Sequence, residues 1–488
     1  MAEQTLTTDS DETGRLSGSL GVASIVFMVV AAAAPLTVIA GVVPIGFAYG
    51  NGAGFPAMFA LVGVILLLFA VGFNVMTQHI PRPGAFFTYI SHGLGRPAGL
   101  SAAYGALLCY LAIELAVLGY IGFAINDAIV DADGPDVHWA IYSFLMAAIV
   151  GWFGYRHIEI SSRVLAVLLS AEIAIVMLIA LFVVAKGGAD GIDLESLKPS
   201  VINSGAPSLA LMFAMASFIG FEATAIFRDE AKDPARTIPR ATFAAVIVVG
   251  AFYTFTVWAL VLSLGSQNVA AAAAADPLFL FTTAKDQLGT FGEVATHVLL
   301  ISSIFAAALA FHNVIVRYLH TLGNVGVLPT YLGKLHGRHR APSAASLTTA
   351  ALSGVALLVC LVCGLDPYLK IFTWFVGLGS LVYILLLSAC SLAVLAYFRG
   401  GRGESPVRTV LCPILSLIGL GIGGYITIKH FPLLVGDYDE AGAEKFGGLS
   451  IGLLAAVLLV IVAGAVQALV LKSRRSETYD KIVDASIT

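Results

Sequence analysis

Charged residues are scarce in this sequence, and their scarcity excludes an ordinary soluble domain. Asp, Glu, Lys and Arg make up only 11% of the 488 residues, whereas 59% are hydrophobic. A soluble domain carries about a quarter charged residues. Apolar runs of about 20 residues recur along the chain, and each is long enough to cross a bilayer as a helix. The sequence therefore predicts an all-α integral membrane protein whose main surroundings are the lipid bilayer.

Several functional motifs are missing as well. The sequence contains no phosphate-binding glycine loop, nucleophile elbow or His-Glu-x-x-His motif, so we expect neither an enzyme nor a bound cofactor. The net charge of −4 argues against nucleic acid as a partner. Cys360 and Cys363 form a lone C-x-x-C without a second cysteine pair, so we predict no metal site. The first apolar run is too long for a cleavable signal peptide.

Twelve membrane-spanning helices are predicted, and they are called spans 1 to 12 in chain order. They cover residues 20–48, 54–77, 100–125, 139–155, 164–185, 209–227, 243–264, 294–316, 344–365, 371–397, 410–428 and 449–471. An even number of spans places both termini on one side of the membrane. Most of the 26 Lys and Arg residues fall in loops on that side. The positive-inside rule then predicts cytoplasmic termini and a multi-pass protein of the plasma or inner membrane.

Two spans contain residues that break helices near mid-membrane. Span 1 reads AAAAPLT over Ala31–Thr37, where Pro35 removes an N–H and clashes with the preceding turn. Span 6 reads FIGFE over Phe218–Glu222, where Gly220 weakens the helix. The two breaks lie five spans apart, as expected for two inverted five-helix repeats with a discontinuous first helix. The sequence therefore predicts a substrate site between the breaks.

Four stretches resemble the amino acid–polyamine–organocation (APC) transporters. They are GFEATAIFRDEAKDPARTIPRA (220–241), PRPGAFFTYISHGLGRPAG (81–99), YRHIEISSRVLAVLLSAE (155–172) and RYLHTLGNVGVLPTYLGKLHGRHRAP (317–342). The resemblance covers spans 1 to 9 in register. It implies a transport core over 20–397 and peripheral spans over 398–471. It also implies alternating access and import of an amino acid or amine driven by a proton or sodium gradient. The polar composition of the N-terminus predicts a disordered tail over 1–19, and the positive-inside rule makes this tail and a second one over 472–488 cytoplasmic.

The resemblance also implies a set of substrate-binding residues around the two breaks. By family analogy the backbone of Ala31–Thr37 and Ile219–Glu222 contacts the substrate, and two side chains of span 3 add polar groups. The predicted substrate-binding set is Ala32, Ala33, Ala34, Pro35, Leu36, Thr37, Tyr110, Glu114, Ile219, Gly220, Phe221 and Glu222.

Span 1 departs from many amino-acid transporters of that family. Those members carry a Gly-Ser-Gly-like element whose amides hold the substrate carboxylate, whereas this chain has alanines and Pro35, which donates no hydrogen bond. The break is similar to that of members that import polyamines such as putrescine. A polyamine or organocation importer therefore stands as an alternative to an amino acid importer.

Intramembrane carboxylates are the main candidates for function. Glu114 lies four residues after Tyr110 on one helix face, and it either meets a substrate ammonium or bonds between helices. Glu172 in span 5 falls where proton-coupled relatives carry a lysine, near the sodium position of sodium-coupled ones. It is predicted to carry the coupling proton, with structural hydrogen bonding as the alternative. Glu222 either holds the break of span 6 in shape or contacts the substrate.

Other side chains have narrower predicted roles. Ser302 and Ser303 are candidate sodium ligands, although such serines often bond their own helix. Phe221 is a candidate gate over the substrate. His297 and His312 are taken as structural. The candidate cytoplasmic gate consists of Arg228, Asp229, Glu230 and Arg236, with a solvated loop as the alternative.

The sequence therefore favours a proton-coupled importer of an amino acid or related amine. A sodium-coupled symporter and a polyamine importer are the alternatives within transport. A channel or receptor is disfavoured, because the two matching breaks are typical of transporters.

Overall fold

The computed structural model describes residues 20–80, 86–156, 162–336, 341–439 and 443–484. The predicted N-terminal tail, 1–19, lies outside this part of the chain. The described residues form helices and loops with two isolated β-bridges, which confirms the predicted all-α class. Eleven of their helices are long and apolar enough to cross a membrane.

Each predicted span contains a helix of the structure, but the bounds differ, most of all in span 8, whose helix covers Phe279–Val325 with non-helical backbone angles at Gly289. In chain order the α-helices of the spans are Val22–Ala32 with Val43–Ala48, Phe55–His79, Arg96–Asp131, Trp139–Arg156, Ser162–Lys186, Pro207–Ala216, Pro234–Leu264, Phe279–Val325, Ser343–Val362, Thr373–Tyr397, Cys412–Lys429 and Gly448–Arg474. Shorter α-helices cover Phe86–Leu94, Pro199–Ile202, Val269–Ala275, Phe431–Val435 and Ser476–Asp484. The last of these lies within the predicted C-terminal tail.

Span 4 accounts for the difference between the eleven candidate membrane helices among the described residues and the twelve predicted spans. Its helix, Trp139–Arg156, has 18 residues but is not among the eleven. Aromatic, glycine and terminal arginine residues dilute its apolar character. The count of twelve and the two inverted repeats stay predictions.

Span 1 is discontinuous, as Pro35 predicts. Its first helix ends at Ala32, and Ala34 adopts the left-handed conformation with φ 45°. Pro35 then begins a second segment, where its missing N–H costs nothing because a first-turn N–H has no helical acceptor. The segment continues as a π-helix over Val38–Val42. The break therefore occupies two residues, immediately before the proline.

Span 6 is also discontinuous. Its α-helix, Pro207–Ala216, ends four residues before Gly220, which has φ 113°. Glycine adopts this conformation without the steric penalty of a Cβ atom. The chain then continues as a 3-10 helix over Phe221–Glu230 rather than as an α-helix.

Span 3 lies at the centre of the bundle. It packs against spans 4, 8, 10 and 12. In its most apolar window 78% of the residues are buried, against 17% for span 12. Spans 1, 2, 3, 6 and 10 each have at least 67% of this window buried, so they supply most of the interior surfaces.

Candidate functional site

A small cavity lies between the two helix breaks. Its volume is about 50 Å³. The lining residues are Ala32, Ala33, Ala34, Thr37, Val38, Val42, Ile113, Val117, Ala216, Ser217, Ile219, Ala307, Phe311, Phe372 and Val376. Thr37 and Ser217 are the polar side chains among them. Sites that enclose small molecules measure about 300–1,000 Å³, so the walls must separate to admit a substrate.

Five of the twelve predicted substrate-binding residues line this cavity, and seven do not. Ala32, Ala33, Ala34, Thr37 and Ile219 line it. The other seven, Pro35, Leu36, Tyr110, Glu114, Gly220, Phe221 and Glu222, lie behind that first layer. Phe221 packs edge-on against Phe69, with ring centroids 5.9 Å apart, and is 3% exposed.

Glu172 reaches the break of span 1 from span 5. Its carboxylate interacts with the backbone N–H of Leu36 and the hydroxyl of Ser303. Thr37 Oγ1 also donates a hydrogen bond to Ser303 Oγ over 3.1 Å. Leu36 is the second residue of the half-helix that begins at Pro35, so its N–H has no acceptor within the helix. Glu172 therefore lies near the positive end of this half-helix, where a negative charge is favourable.

The two candidate serines of span 8 differ in their contacts. Ser303 is buried and joins Glu172 to Thr37. Ser302 donates instead to the carbonyl of Leu299 in its own helix, over 2.8 Å. The structure thus brings Ser303, and not Ser302, to the break of span 1.

Glu222 lies in a second polar cluster, where three donors converge on its carboxylate. Tyr110 donates to Oε1 over 2.7 Å. Tyr383 and the backbone N–H of Gly220 each donate to Oε2 over 2.9 Å. The carboxylate therefore ties the break of span 6 to spans 3 and 10. Tyr110 also stacks on the cavity residue Phe311, with ring centroids 6.3 Å apart.

Glu114 lies in a third cluster, away from Tyr110. Its Oε1 is 2.9 Å from His312 Nδ1, and Ser353 donates to its Oε2 over 3.1 Å. His312 Nε2 is 3.0 Å from Ser346 Oγ. Both members of the Glu114–His312 pair are 1% exposed. Tyr110 and Glu114 share a helix face, but they serve different clusters.

Several residues of these clusters do not follow from the sequence. His312, predicted to be structural, lies between Glu114 and Ser346, and no sequence motif indicates Tyr383, Ser346 or Ser353. An ionisable residue inside a membrane span was itself a signal for His312. Its partner, 198 positions away, follows only from the packing of span 3 against span 8.

On the side that is predicted to be cytoplasmic, several contacts are bonds to backbone groups. Arg228 Nη1 donates to the carbonyl of Thr77 over 2.6 Å. The backbone of Leu20 pairs with that of Glu230 and Lys232. Arg236 and Asp233 form an exposed pair within one helix, 3.8 Å apart. The side chain of Asp229 lies outside the described residues.

The apolar helices, two of them broken at one interior cavity, define a multi-pass membrane protein with the architecture predicted for a transporter. The chain belongs to the amino acid permease family, whose model matches residues 20–432. The resemblance to the APC transporters is thereby confirmed.

Two curated relatives illustrate the range of the similarity. The low-affinity putrescine importer PlaP of Escherichia coli K12 is 23% identical over 313 residues, which are 62% of this chain and 66% of PlaP, just under two thirds. The branched-chain amino acid permease BcaP of Bacillus subtilis 168 is 24% identical over 406 residues, which are 78% of this chain and 83% of BcaP.

A solved structure shows the same fold. It is the crystal structure of MhsT in complex with L-phenylalanine. The match has a TM-score of 0.56 at 14% sequence identity, and it covers 86% of this chain and all of the MhsT chain.

Proposed function

We propose that the protein is a secondary transporter that imports an amino acid with an apolar side chain by alternating access, coupled to protons. Both termini are cytoplasmic and the membrane is the plasma or inner membrane in this proposal. The observation that supports it best is the position of Glu172. A buried carboxylate on span 5 lies at the break of span 1, beside the cavity.

The cavity chemistry supports an apolar amino acid. Hydrocarbon side chains form most of its wall. The broken ends of spans 1 and 6 supply backbone groups that suit the ammonium and carboxylate of a zwitterion. Glu114 and Glu222 are engaged in their own clusters behind this wall. Glu172 is then the one carboxylate of the three left for a substrate ammonium, and a second ammonium would be buried without a partner, which is costly.

The contact between Glu172 and Leu36 supplies a route for coupling. An ionised carboxylate is a stronger acceptor for the Leu36 N–H than a neutral carboxylic acid is. Protonation of Glu172 therefore weakens the cap on the second half of span 1. Loading a proton would change the stability of the break at which the substrate binds.

Uptake into proteoliposomes tests both parts of the proposal. L-leucine is the probe, with putrescine as the competing substrate and imposed pH or sodium gradients as driving forces. We expect leucine to accumulate under an inward proton gradient and not under a sodium gradient alone. Glu172→Gln should abolish this accumulation while leucine counterflow, which needs no net driving force, persists. Normal accumulation by Glu172→Gln would refute the coupling role.

A polyamine importer is the second candidate. It is supported by Pro35 at the break of span 1 and by the similarity to a putrescine importer. Uptake of putrescine without uptake of leucine would favour it. A sodium-driven signal would instead favour Glu172, Ser303 and Thr37 as oxygen ligands of a sodium ion.

A further inference from the structure

Glu114 and His312 form a buried pair directly behind the cavity wall. Their neighbours in sequence, Ile113 and Phe311, both line the cavity. The distance between Glu114 Oε1 and His312 Nδ1 is 2.9 Å, and each side chain is 1% exposed. The pair therefore joins the two helices that carry these wall residues, span 3 and span 8.

The pair is completed by hydroxyl groups of span 9. Ser353 donates to Glu114 Oε2 over 3.1 Å. Ser346 lies 3.0 Å from His312 Nε2 and donates its own hydrogen to the carbonyl of Gly151 in span 4, over 3.3 Å. The network thus connects four spans, and each polar atom of the pair has a partner.

Hydrogen counting and the cost of a buried charge together favour one protonation state of the pair. The Ser346 hydroxyl has one hydrogen, which it can give to the Gly151 carbonyl or to His312 Nε2. Given to Gly151, it leaves Ser346 to accept from His312 Nε2–H, and one proton remains for the 2.9 Å contact between His312 Nδ1 and Glu114 Oε1. The pair then has zero net charge whichever of these two atoms carries that proton. Given to Nε2, it would leave an ionised Glu114 beside a neutral imidazole, and a net charge at this depth is costly.

The surroundings hold the pair in this state. It faces Ser346 and Ser353 of span 9 and the backbone of Gly151 in span 4. Within the described part of the chain, neither partner forms an ion pair with any other side chain. A Cβ atom on Gly154 of span 4 would come within 2.8 Å of the His312 ring. Glycine there allows the helices to close on the imidazole.

We propose that Glu114 and His312 are positioning residues for the substrate cavity, which share one proton and keep it throughout the transport cycle. They hold the wall formed by Ile113 and Phe311 and take no part in proton coupling. This inference rests on the proposed transport function. It assigns different roles to two buried carboxylates. Glu172 exchanges a proton during transport, whereas Glu114 does not.

The test compares two substitutions at one position in the full-length protein. In Glu114→Gln the amide NH₂ can donate to His312 Nδ1 and the amide oxygen can accept from Ser353, so the neutral network is preserved. In Glu114→Leu both partners lose their contacts. Thr348→Ala is the matched control, because Thr348 on span 9 donates to the carbonyl of Ala344 in its own helix.

We expect Glu114→Gln to keep the KM for L-leucine within about twofold of the original value and to leave the pH profile of uptake unchanged. Glu114→Leu should raise KM about tenfold, since buried donors and acceptors lose their partners. Gly154→Ala should raise KM in the same direction, because its Cβ atom displaces His312 and Ser346 while every polar side chain of the network is retained. A shifted or flattened pH profile in Glu114→Gln would overturn the proposal, and so would an unchanged KM in Glu114→Leu.

Thermal unfolding of the substrate-free protein separates this inference from the transport proposal. Between about pH 5 and about pH 8, where histidine ordinarily titrates, the Tm of Glu114→Gln should follow that of the unsubstituted protein. The Tm of Glu114→Leu should lie below both. Absence of leucine uptake by the unsubstituted protein would refute the transport proposal alone. A Tm of Glu114→Gln that diverges with pH would refute the shared, retained proton.

Discussion

Tyr110 donates a hydrogen bond to Glu222 Oε1 over 2.7 Å, which joins the central span 3 to the broken span 6. Glu222 also accepts hydrogen bonds from Tyr383 and from the Gly220 N–H. Three donors on two oxygens suit an ionised carboxylate, which accepts and does not donate. Glu222 thus holds the break by satisfying a backbone N–H that has lost its helical acceptor.

Glu222→Gln should therefore destabilise the protein although it nearly preserves the shape of the side chain. The amide offers one acceptor oxygen where the carboxylate offers two, so one of the three donors loses its acceptor. We expect a loss of about 1–3 kcal/mol in the free energy of unfolding, measured as a lower Tm in detergent. Tyr383→Phe, which removes one donor and leaves the carboxylate intact, is the control and should cost less. Equal stability of Glu222→Gln and the unsubstituted protein would contradict this account.

Local chemistry in the sequence predicted the broken helices well. Pro35 and Gly220 act on their own backbone, and the structure breaks both spans next to these residues. The 3-10 continuation after Gly220 was not predicted, because it depends on how Phe221–Glu230 packs. The position of the left-handed residue, Ala34, was also not evident, since alanine rarely adopts this conformation.

The polar clusters were predicted only in part. Glu114, Glu172 and Glu222 stand out because a carboxyl group is conspicuous in an apolar run. Their partners lie on other spans, and a single sequence contains no measure of which helix faces meet. The choice between Ser302 and Ser303 illustrates this limit. Adjacent residues on a helix point in different directions, and only Ser303 faces Glu172.

Arg228→Ala should favour opening of the side that is predicted to be cytoplasmic. The Arg228 guanidinium holds the carbonyl of Thr77, the last turn of span 2, over 2.6 Å. Loss of this partly exposed charged hydrogen bond should shift the equilibrium by about 1 kcal/mol, or about fivefold in population. The measurement is the rate at which a cysteine placed at the cavity residue Ser217 reacts with an impermeant maleimide from the cytoplasmic side.

Arg236→Ala is the control for that experiment. Arg236 makes an exposed pair with Asp233 in its own helix, and such pairs contribute little. Its labelling rate should match that of the otherwise unsubstituted protein carrying the same cysteine. If both arginine variants raise the rate equally, the general positive charge of the loop and not the bond to Thr77 controls the closure.

Asp437 should make the stability of span 12 depend on pH. This residue lies outside the membrane helices and accepts hydrogen bonds from the backbone N–H groups of Ser450, over 2.9 Å, and Gly447, over 3.2 Å. Partial burial raises the pKa of Asp437, but these hydrogen bonds outweigh it and leave the pKa below the ordinary 3.8. A depressed folded-state pKa stabilises the folded protein above the unfolded-state pKa, and this contribution is lost as the pH falls through the folded-state pKa.

Asp437→Asn should therefore lower the Tm at neutral pH. The difference from the unsubstituted protein should shrink as the pH falls below about 4, where the aspartate itself becomes protonated. Asp439→Asn removes a charge from the same loop without removing the cap of span 12, and it serves as the control. A Tm difference that stays constant down to the lowest accessible pH would show that the charge of Asp437 is not the stabilising feature.

Gly220→Ala should destabilise the break of span 6 through the backbone alone. The conformation at φ 113° disfavours any residue with a Cβ atom. Space is not the obstacle, because the nearest atom to an added Cβ, on Ala32, is 3.6 Å away. We expect a cost of about 1–3 kcal/mol, seen as a lower Tm together with weaker leucine counterflow.

Gly250→Ala in the helix of span 7 is the control. It also places its Cβ atom 3.6 Å from a neighbour, but without a positive φ. Alanine is favoured over glycine inside a helix, so Gly250→Ala should not lower the Tm. A similar loss in both variants would trace the effect to packing and not to the left-handed break.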